Sequence, residues 1–354
     1  MRLQFRVLVA LSLAAATIGG LTSASAQVAT QVPDPVPGAK KVTLQRIKVH
    51  SAALEGNLEG NSADRDVIVV LPPSYASSPR RRYPVVYALH GYSIGAEQWI
   101  KEIHVPQTVE GAFAKGTPEV IVVLPDSKTV HNGSMYSRSP TTGDFETFVA
   151  RDLVAYVDKN FRTLPRRESR GLVGHSMGGY GATRIGMNHS DVFGALYVMS
   201  GCCLSPRSAG GLTPELLAKL KSVKSIEEAQ KLGWMERATL ASASAWSPDP
   251  ANAPLFLDLP SGQDGDDVVA RWAANSPLAF FDQHVADLRR YKAISVDVGD
   301  KDGLKADAEK LHQALNRYKI AHGYEVYPGD HTSAVAVRFQ EYVMPFFGRN
   351  LAFQ

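Results

Sequence analysis

Residues 171–180 read Gly171-Leu172-Val173-Gly174-His175-Ser176-Met177-Gly178-Gly179-Tyr180, and this stretch decides the fold. A short apolar run ends at Gly174, and a helix-like run (YGATRIGM) begins at Tyr180. Between them stands a serine with glycines two places before and two places after it. In a Gly-x-Ser-x-Gly elbow the serine occupies a strained turn between strand and helix. The glycines leave room for the tight backbone, and the hydroxyl projects above the sheet. The competing reading is a glycine-rich turn whose serine caps a helix. The strand-like and helix-like runs flanking Ser176 favour the elbow.

Working outward, the same alternation recurs. Val67–Leu71 (VIVVL), Val85–Leu89 (VVYAL), Val120–Leu124 (VIVVL), Ala195–Met199 (ALYVM), Ile294–Val298 (ISVDV) and Tyr324–Tyr327 (YEVY) are strand-like runs. Continuous apolar runs of this length suit strands buried on both faces of a parallel sheet. Helix-like stretches lie between and after them, at Phe145–Asn160, Met177–Asn188, Leu304–Ile320 and Ser333–Phe347. Strands alternating with helices predict an α/β fold built on a doubly wound, mostly parallel sheet. Residues 204–290 break the rhythm, being too long for a simple crossover. They carry helix-like pieces at Pro214–Lys221, Ile226–Leu232 and Arg237–Ser244, together with Trp234, Trp246 and Trp272. Because the strand rhythm then resumes, the segment reads as an insertion, a lid or cap on a single domain spanning 42–354.

A serine hydroxyl is a weak nucleophile until a base takes its proton. With an elbow serine in such a sheet, the partners follow in the order serine, acid, histidine. The acid should lie just after a later strand, and Ile294–Gly299 runs into Asp300-Lys301-Asp302. The histidine should follow the last strand, where Tyr324–Gly329 runs into Asp330-His331-Thr332. His331 is the expected base. Asp302 is the favoured orienting acid, with Asp300 a close competitor that position alone barely separates. Acyl transfer also needs backbone donors for an oxyanion. Met177, directly after the serine, offers one amide, and Tyr92, beyond the His90-Gly91 turn, offers the other. The remaining histidines read as structural. So does Glu146, whose charge near a helix start suits the helix dipole.

With the elbow, His90-Gly91 and His331 assembled, the chain resembles the α/β-hydrolase superfamily. Within it the chain is similar to the esterase D-type group, which includes feruloyl esterases, S-formylglutathione hydrolases and the antigen 85 mycolyltransferases. The likeness covers roughly residues 45–350. It includes Leu71-Pro72-Pro73-Ser74-Tyr75, Tyr83-Pro84-Val85-Val86-Tyr87, Ser139-Pro140-Thr141-Thr142-Gly143-Asp144-Phe145-Glu146, Gly174–Gly179 and Asp191-Val192-Phe193. The resemblance implies a serine esterase with Ser176 as nucleophile. In feruloyl esterases of this group the acid follows a Gly-x-x-Asp turn, which Gly299-Asp300-Lys301-Asp302 matches, and this selects Asp302. The family often carries Gly-x-His-x-Trp around its histidine. Here the residues are Gly329-Asp330-His331-Thr332-Ser333, so the aromatic wall beyond the base is missing.

Composition narrows the remaining classes. With 354 residues, 44% of them apolar and 21% charged, the chain is an ordinary folded protein rather than a disordered or fibrous one. Residues 1–26 read as a signal peptide: Arg2 and Arg6, the apolar run Val7–Leu21, and the small-x-small site Ala24-Ser25-Ala26, which predicts Gln27 as the mature N-terminus. That run of about 15 residues falls short of the roughly 20 a spanning helix needs. The expected location is therefore secreted or periplasmic, with no stable membrane insertion. Residues 27–41 are proline-rich and read as a flexible lead-in. Without the leader there are 36 Lys and Arg against 35 Asp and Glu. That balance gives no basic excess for nucleic acid. No ligand spacing suggests a metal and no glycine-rich loop a nucleotide, so no cofactor is expected. A bridge between the adjacent Cys202 and Cys203 would be strained, since neighbouring Cα atoms lie about 3.8 Å apart. The expected function is hydrolysis of feruloyl-type or short-chain acyl esters, small or polysaccharide-linked, through an acyl-enzyme. The alternatives are an acyltransferase of the antigen 85 type and a non-catalytic binding protein on a hydrolase fold. The latter would be expected to lack a triad member.

Overall fold

Among the described residues of the computed structural model, which are 30–206, 212–260 and 265–354, eight strands form the central sheet. The leader expected at 1–26 and its cleavage point before Gln27 lie outside the described residues. The strands are β1 (Thr43–His50), β2 (Asp64–Leu71), β3 (Val85–Leu89), β4 (Ile121–Pro125), β5 (Arg170–His175), β6 (Ala195–Met199), β7 (Ala293–Gly299) and β8 (Gly323–Tyr327). Their order across the sheet is β1-β2-β4-β3-β5-β6-β7-β8. Pairing is parallel from β4 to β8 and antiparallel between β1 and β2 and between β2 and β4. The sheet is mostly parallel, as the alternation of strands and helices predicts.

Successive strand residues face opposite sides, so the apolar runs of β2 to β6 feed two cores, whereas β8 at one sheet edge is largely exposed. On one side Val69, Tyr87, Val123, Leu172 and Val296 meet α3 (Leu153–Asn160), α4 (Met177–Asn188) and α8 (Lys305–Arg317). On the other, Val70, Val86, Val122 and Val173 meet α1 (Ala96–Glu102), α2 (Gln107–Ala114) and α9 (Met344–Asn350). Each such Val, Leu or Ile, once fully buried, contributes roughly 1.5–3 kcal/mol. The long helices expected at Phe145–Asn160 and Ser333–Phe347 each contain one wider turn, at Phe148–Asp152 and Phe339–Val343.

Several parts add to or depart from what the sequence suggests. β1 is an edge strand, largely exposed, and its polar alternation (TLQRIKVH) carries no continuous apolar run. Val67–Leu71 is buried like a parallel strand yet pairs antiparallel on both sides, because burial reports coverage and not direction. Helices α1 and α2, at 7 and 8 residues, are too short to show a full apolar period. Of residues 27–41, expected to form a flexible lead-in, the described part 30–41 has no helix or strand but does have partners. The Gln31 amide donates to Ser333 O at 2.7 Å, Gln107 Nε2 to Pro33 O at 2.6 Å, and Lys41 pairs with Glu110 at 2.9 Å.

Between β6 and β7 lie α5 (Pro214–Lys221), α6 (Trp234–Trp246) and α7 (Gly265–Ala274). Thr213 caps α5 by accepting from the Leu216 amide, with Pro214 in the first turn. The segment has a small apolar cluster of its own, including Leu220, Leu240, Leu255 and Leu257. It is fastened to the sheet domain by Trp246, whose ring lies 5.5 Å from that of Tyr180. Ser139 Oγ donates to Ser244 O at 2.5 Å and Thr141 Oγ1 to Phe256 O at 2.6 Å.

Candidate active site

β5 ends at His175 and α4 begins at Met177, leaving Ser176 alone in the turn at φ 58° and ψ −116°. A non-glycine residue there is strained and persists only when its surroundings dictate it. They do so through main-chain bonds: the Ser176 amide donates to Met199 O, and Ser176 O accepts from the amides of Tyr180 and Cys202, all three at 3.0 Å. A Cβ on Gly174 would overlap the carbonyl of Gly178, and a Cβ on Gly178 would overlap that of Leu89 in β3. These glycines allow close approach of strand, turn and helix. The serine thereby sits at the carboxyl ends of the parallel strands, where such sheets bind ligands.

The loops after β7 and β8 bring two more of the expected residues to it. Ser176 Oγ lies 2.9 Å from His331 Nε2, and His331 Nδ1 lies 2.9 Å from Asp302 Oδ2. A carboxylate only accepts, so Nδ1 carries the proton and Nε2 is left to receive the serine hydroxyl. Asp302 is buried, and its other oxygen takes the Leu304 amide at 2.8 Å. Burial pushes this carboxyl up, but the hydrogen bond and charge of His331 and the Leu304 amide outweigh it and hold Asp302 below its ordinary value. Asp300 instead accepts the Gly329 amide at 2.9 Å, bracing the loop that carries His331. Geometry thus separates two carboxylates that position in the chain left almost equal.

The turn after β3 is shaped by the ring of His90, one of the histidines that read as structural. His90 is fully buried, and its Nε2 accepts from the Ser127 amide at 2.8 Å. Its proton is therefore on Nδ1, which donates to Gly91 O at 2.8 Å. Burial lowers its pKa and favours this neutral form. So held, the turn passes beside the Ser176 elbow: a Cβ on Gly91 would lie 3.5 Å from Ser176 Cβ. Tyr92 follows directly. Met177 opens α4, where no helical carbonyl can receive its amide.

The rim has one exposed aromatic from the inserted segment. Trp234, 59% exposed at the start of α6, meets the Tyr92 ring edge-on with centroids 5.3 Å apart. Trp246 and Trp272 are committed to packing, with their Nε1 atoms donating to Ser137 Oγ at 3.2 Å and Ser247 Oγ at 2.7 Å. Glu146 bonds Arg184 at 2.7 Å and Asn188 at 2.8 Å and pairs with His189 at 3.2 Å, all from the region of α4. Burial pushes it up, but these partners hold it at about 2, so it braces the elbow helix as an anion. Among the described residues no group of three or more His, Cys, Asp or Glu could hold a metal ion. Among them, too, no helix is long and apolar enough to cross a membrane.

A sequence model of the family described as "Putative esterase" matches residues 61–342. The chain belongs to this esterase family. An esterase of Mycobacterium tuberculosis is 32% identical over 139 residues, which are 38% of this chain and 28% of that protein. The match therefore spans less than a third of that relative's length. Among solved structures, a ferulic acid esterase is similar with a TM-score of 0.64 and 24% identity, over 88% of this chain and 100% of the other. An S-formylglutathione hydrolase from Staphylococcus aureus gives 0.56 at 15% identity, over 87% and 98%. These likenesses show that this member of the esterase family has the α/β-hydrolase fold.

Proposed function

We propose that this member of the esterase family is a serine carboxylic-ester hydrolase that works through an acyl-enzyme, outside the cytoplasm. The observation that carries the reading is the chain of two 2.9 Å hydrogen bonds from Ser176 through His331 to Asp302. Ser176 Oγ attacks the ester carbonyl carbon as His331 Nε2 takes the hydroxyl proton. The carbonyl π pair moves onto oxygen, which the amides of Met177 and Tyr92 receive. As the tetrahedral centre collapses, the carbon–oxygen bond to the alcohol breaks and His331 returns its proton to the departing alkoxide. Water then repeats the sequence on the acyl-serine, releasing the acid and restoring the hydroxyl. Asp302 stays ionised throughout, fixing the tautomer and stabilising the imidazolium.

Feruloyl-type or short-chain acyl esters, small or polysaccharide-linked, are the substrates this reading favours. The likeness to a ferulic acid esterase and the exposed Trp234 beside Tyr92 support it. A fluorophosphonate probe should label the protein once, at Ser176. Ser176→Ala should lose on the order of 10⁶ in kcat toward p-nitrophenyl acyl esters and methyl ferulate. Labelling elsewhere, or hydrolysis undiminished in Ser176→Ala, overturns the proposal. The same assay with an added acceptor alcohol decides between water and acyl transfer. N-terminal sequencing of extracytoplasmic protein should start at Gln27; an intact Met1 in a membrane pellet would refute the location.

A further inference from the structure

The residue before the serine reaches across to the base. His175 ends β5 with its ring buried, and its Nε2 lies 2.8 Å from the carbonyl oxygen of His331. The two imidazole rings pack with centroids 4.8 Å apart and planes inclined by 34°. A carbonyl only accepts, so Nε2 carries the proton and Nδ1 is bare. Other ties hold the residues on either side of His331. Asp300 takes the Gly329 amide at 2.9 Å, Asp330 takes the Thr332 and Ser333 amides at 2.9 and 2.8 Å, and Ser333 O accepts from Gln31 at 2.7 Å. His175 takes hold of the peptide of His331 itself.

We infer that His175 is a positioning residue, a neutral Nε2–H donor that clamps the main chain of His331 and keeps its imidazole in line with Ser176. The inference rests on the reading of Ser176 and His331 as nucleophile and base. In turnover His331 becomes a cation, and a second charged imidazole 4.8 Å away would oppose it. Burial first, and then the neighbouring His331, push His175 down to about 3. The clamp therefore stays uncharged while the base cycles. A spacing role would be met by any ring of similar size, whereas the clamp needs an N–H at that point.

Two substitutions separate these roles. His175→Phe keeps a ring without the donor, and His175→Gln keeps an N–H at similar reach without the ring. Active sites are counted by end-point fluorophosphonate labelling, so that misfolded chains drop out, and kcat and KM for p-nitrophenyl acetate are expressed per labelled site. His175→Phe should lower kcat by about 10- to 100-fold, the scale of a misplaced catalytic group, with KM within about twofold. His175→Gln should recover kcat to within about fivefold of the parent. If the Phe chain yields no labelled sites, His175→Met serves as the donorless variant. A donorless variant equal to the parent, or a Gln variant as impaired as the donorless one, overturns the inference. Activity surviving in both Ser176→Ala and His331→Ala would fell the underlying reading instead. Loss in those two with a normal donorless variant fells only the clamp.

Discussion

Ser176 and His331 touch at their side-chain tips but are held by opposite means. The serine is fixed by main chain: amides and carbonyls close the turn around it, and the flanking glycines leave space that no Cβ can enter. The histidine is fixed by side chains from distant segments, Asp302 at 29 positions away and His175 at 156. The first arrangement is written in consecutive residues. The second exists only once β5, β7 and β8 have taken their places in one sheet, with β6 between β5 and β7. A turn made of packed backbone should fail together with the fold, whereas a loop held by side chains should lose alignment while the fold survives.

Gly178→Ala tests the first half of that contrast and should have the largest effect. Its new Cβ would meet the carbonyl of Leu89 in the neighbouring strand, so backbone must move. A loss of more than about 4 kcal/mol is expected, with soluble yield, melting temperature and fluorophosphonate labelling falling together. Normal melting and labelling would break the contrast. Asp302→Asn tests the second half. It preserves shape but presents the wrong partner to His331 Nδ1, so kcat should fall by roughly 10⁴ with melting nearly unchanged. Asp300→Asn still offers an oxygen to the Gly329 amide and should lose tenfold or less, about 1.4 kcal/mol at most. Reversed losses would transfer the acid role to Asp300.

The loop behind Tyr92 extends the comparison to stability. Tyr92 OH donates to His131 O at 2.8 Å, and Arg237 of α6 donates to Val130 O at 2.9 Å. The buried His131 and Glu59 approach to 3.7 Å between Nε2 and Oε1. Burial pushes Glu59 up from 4.5 to about 7 and His131 down from 6.5 to about 4. For Glu59, whose folded value is raised, the contribution is fully present below pH 4.5 and lost as pH rises through about 7. For His131, whose folded value is depressed, the contribution is present above pH 6.5 and lost as pH falls through about 4. The two slopes oppose one another in between. Glu59→Gln should therefore gain on the parent from about pH 4.5, levelling off above about 7 at up to roughly 3 kcal/mol. Urea midpoints of both proteins from pH 4 to 8 measure the difference. A difference that stays flat with pH would show that the buried carboxyl is not held protonated.

What could be read from the residues alone was whatever contiguous chain determines. The elbow at Gly174–Gly178, the apolar runs of β2 to β7 and the helix Met177–Asn188 are local patterns, and in the structure they stand close to where the periodicity puts them. That His331 would lie beside Ser176 could be expected from chain order, because in a sheet of this class the histidine follows the last strand. Tertiary structure decided the rest. It gave Asp302 to His331 and Asp300 to Gly329, set the tautomers of His90 and His175 through partners far along the chain, and left Trp234 exposed while Trp246 and Trp272 became packing. It also gave β1 its place at the sheet edge and residues 30–41 their partners. The physical reason is range. Backbone sterics and burial period act within about a dozen neighbouring residues and leave a signature there. A side-chain hydrogen bond depends on where two distant segments come to rest, and no local pattern records that meeting.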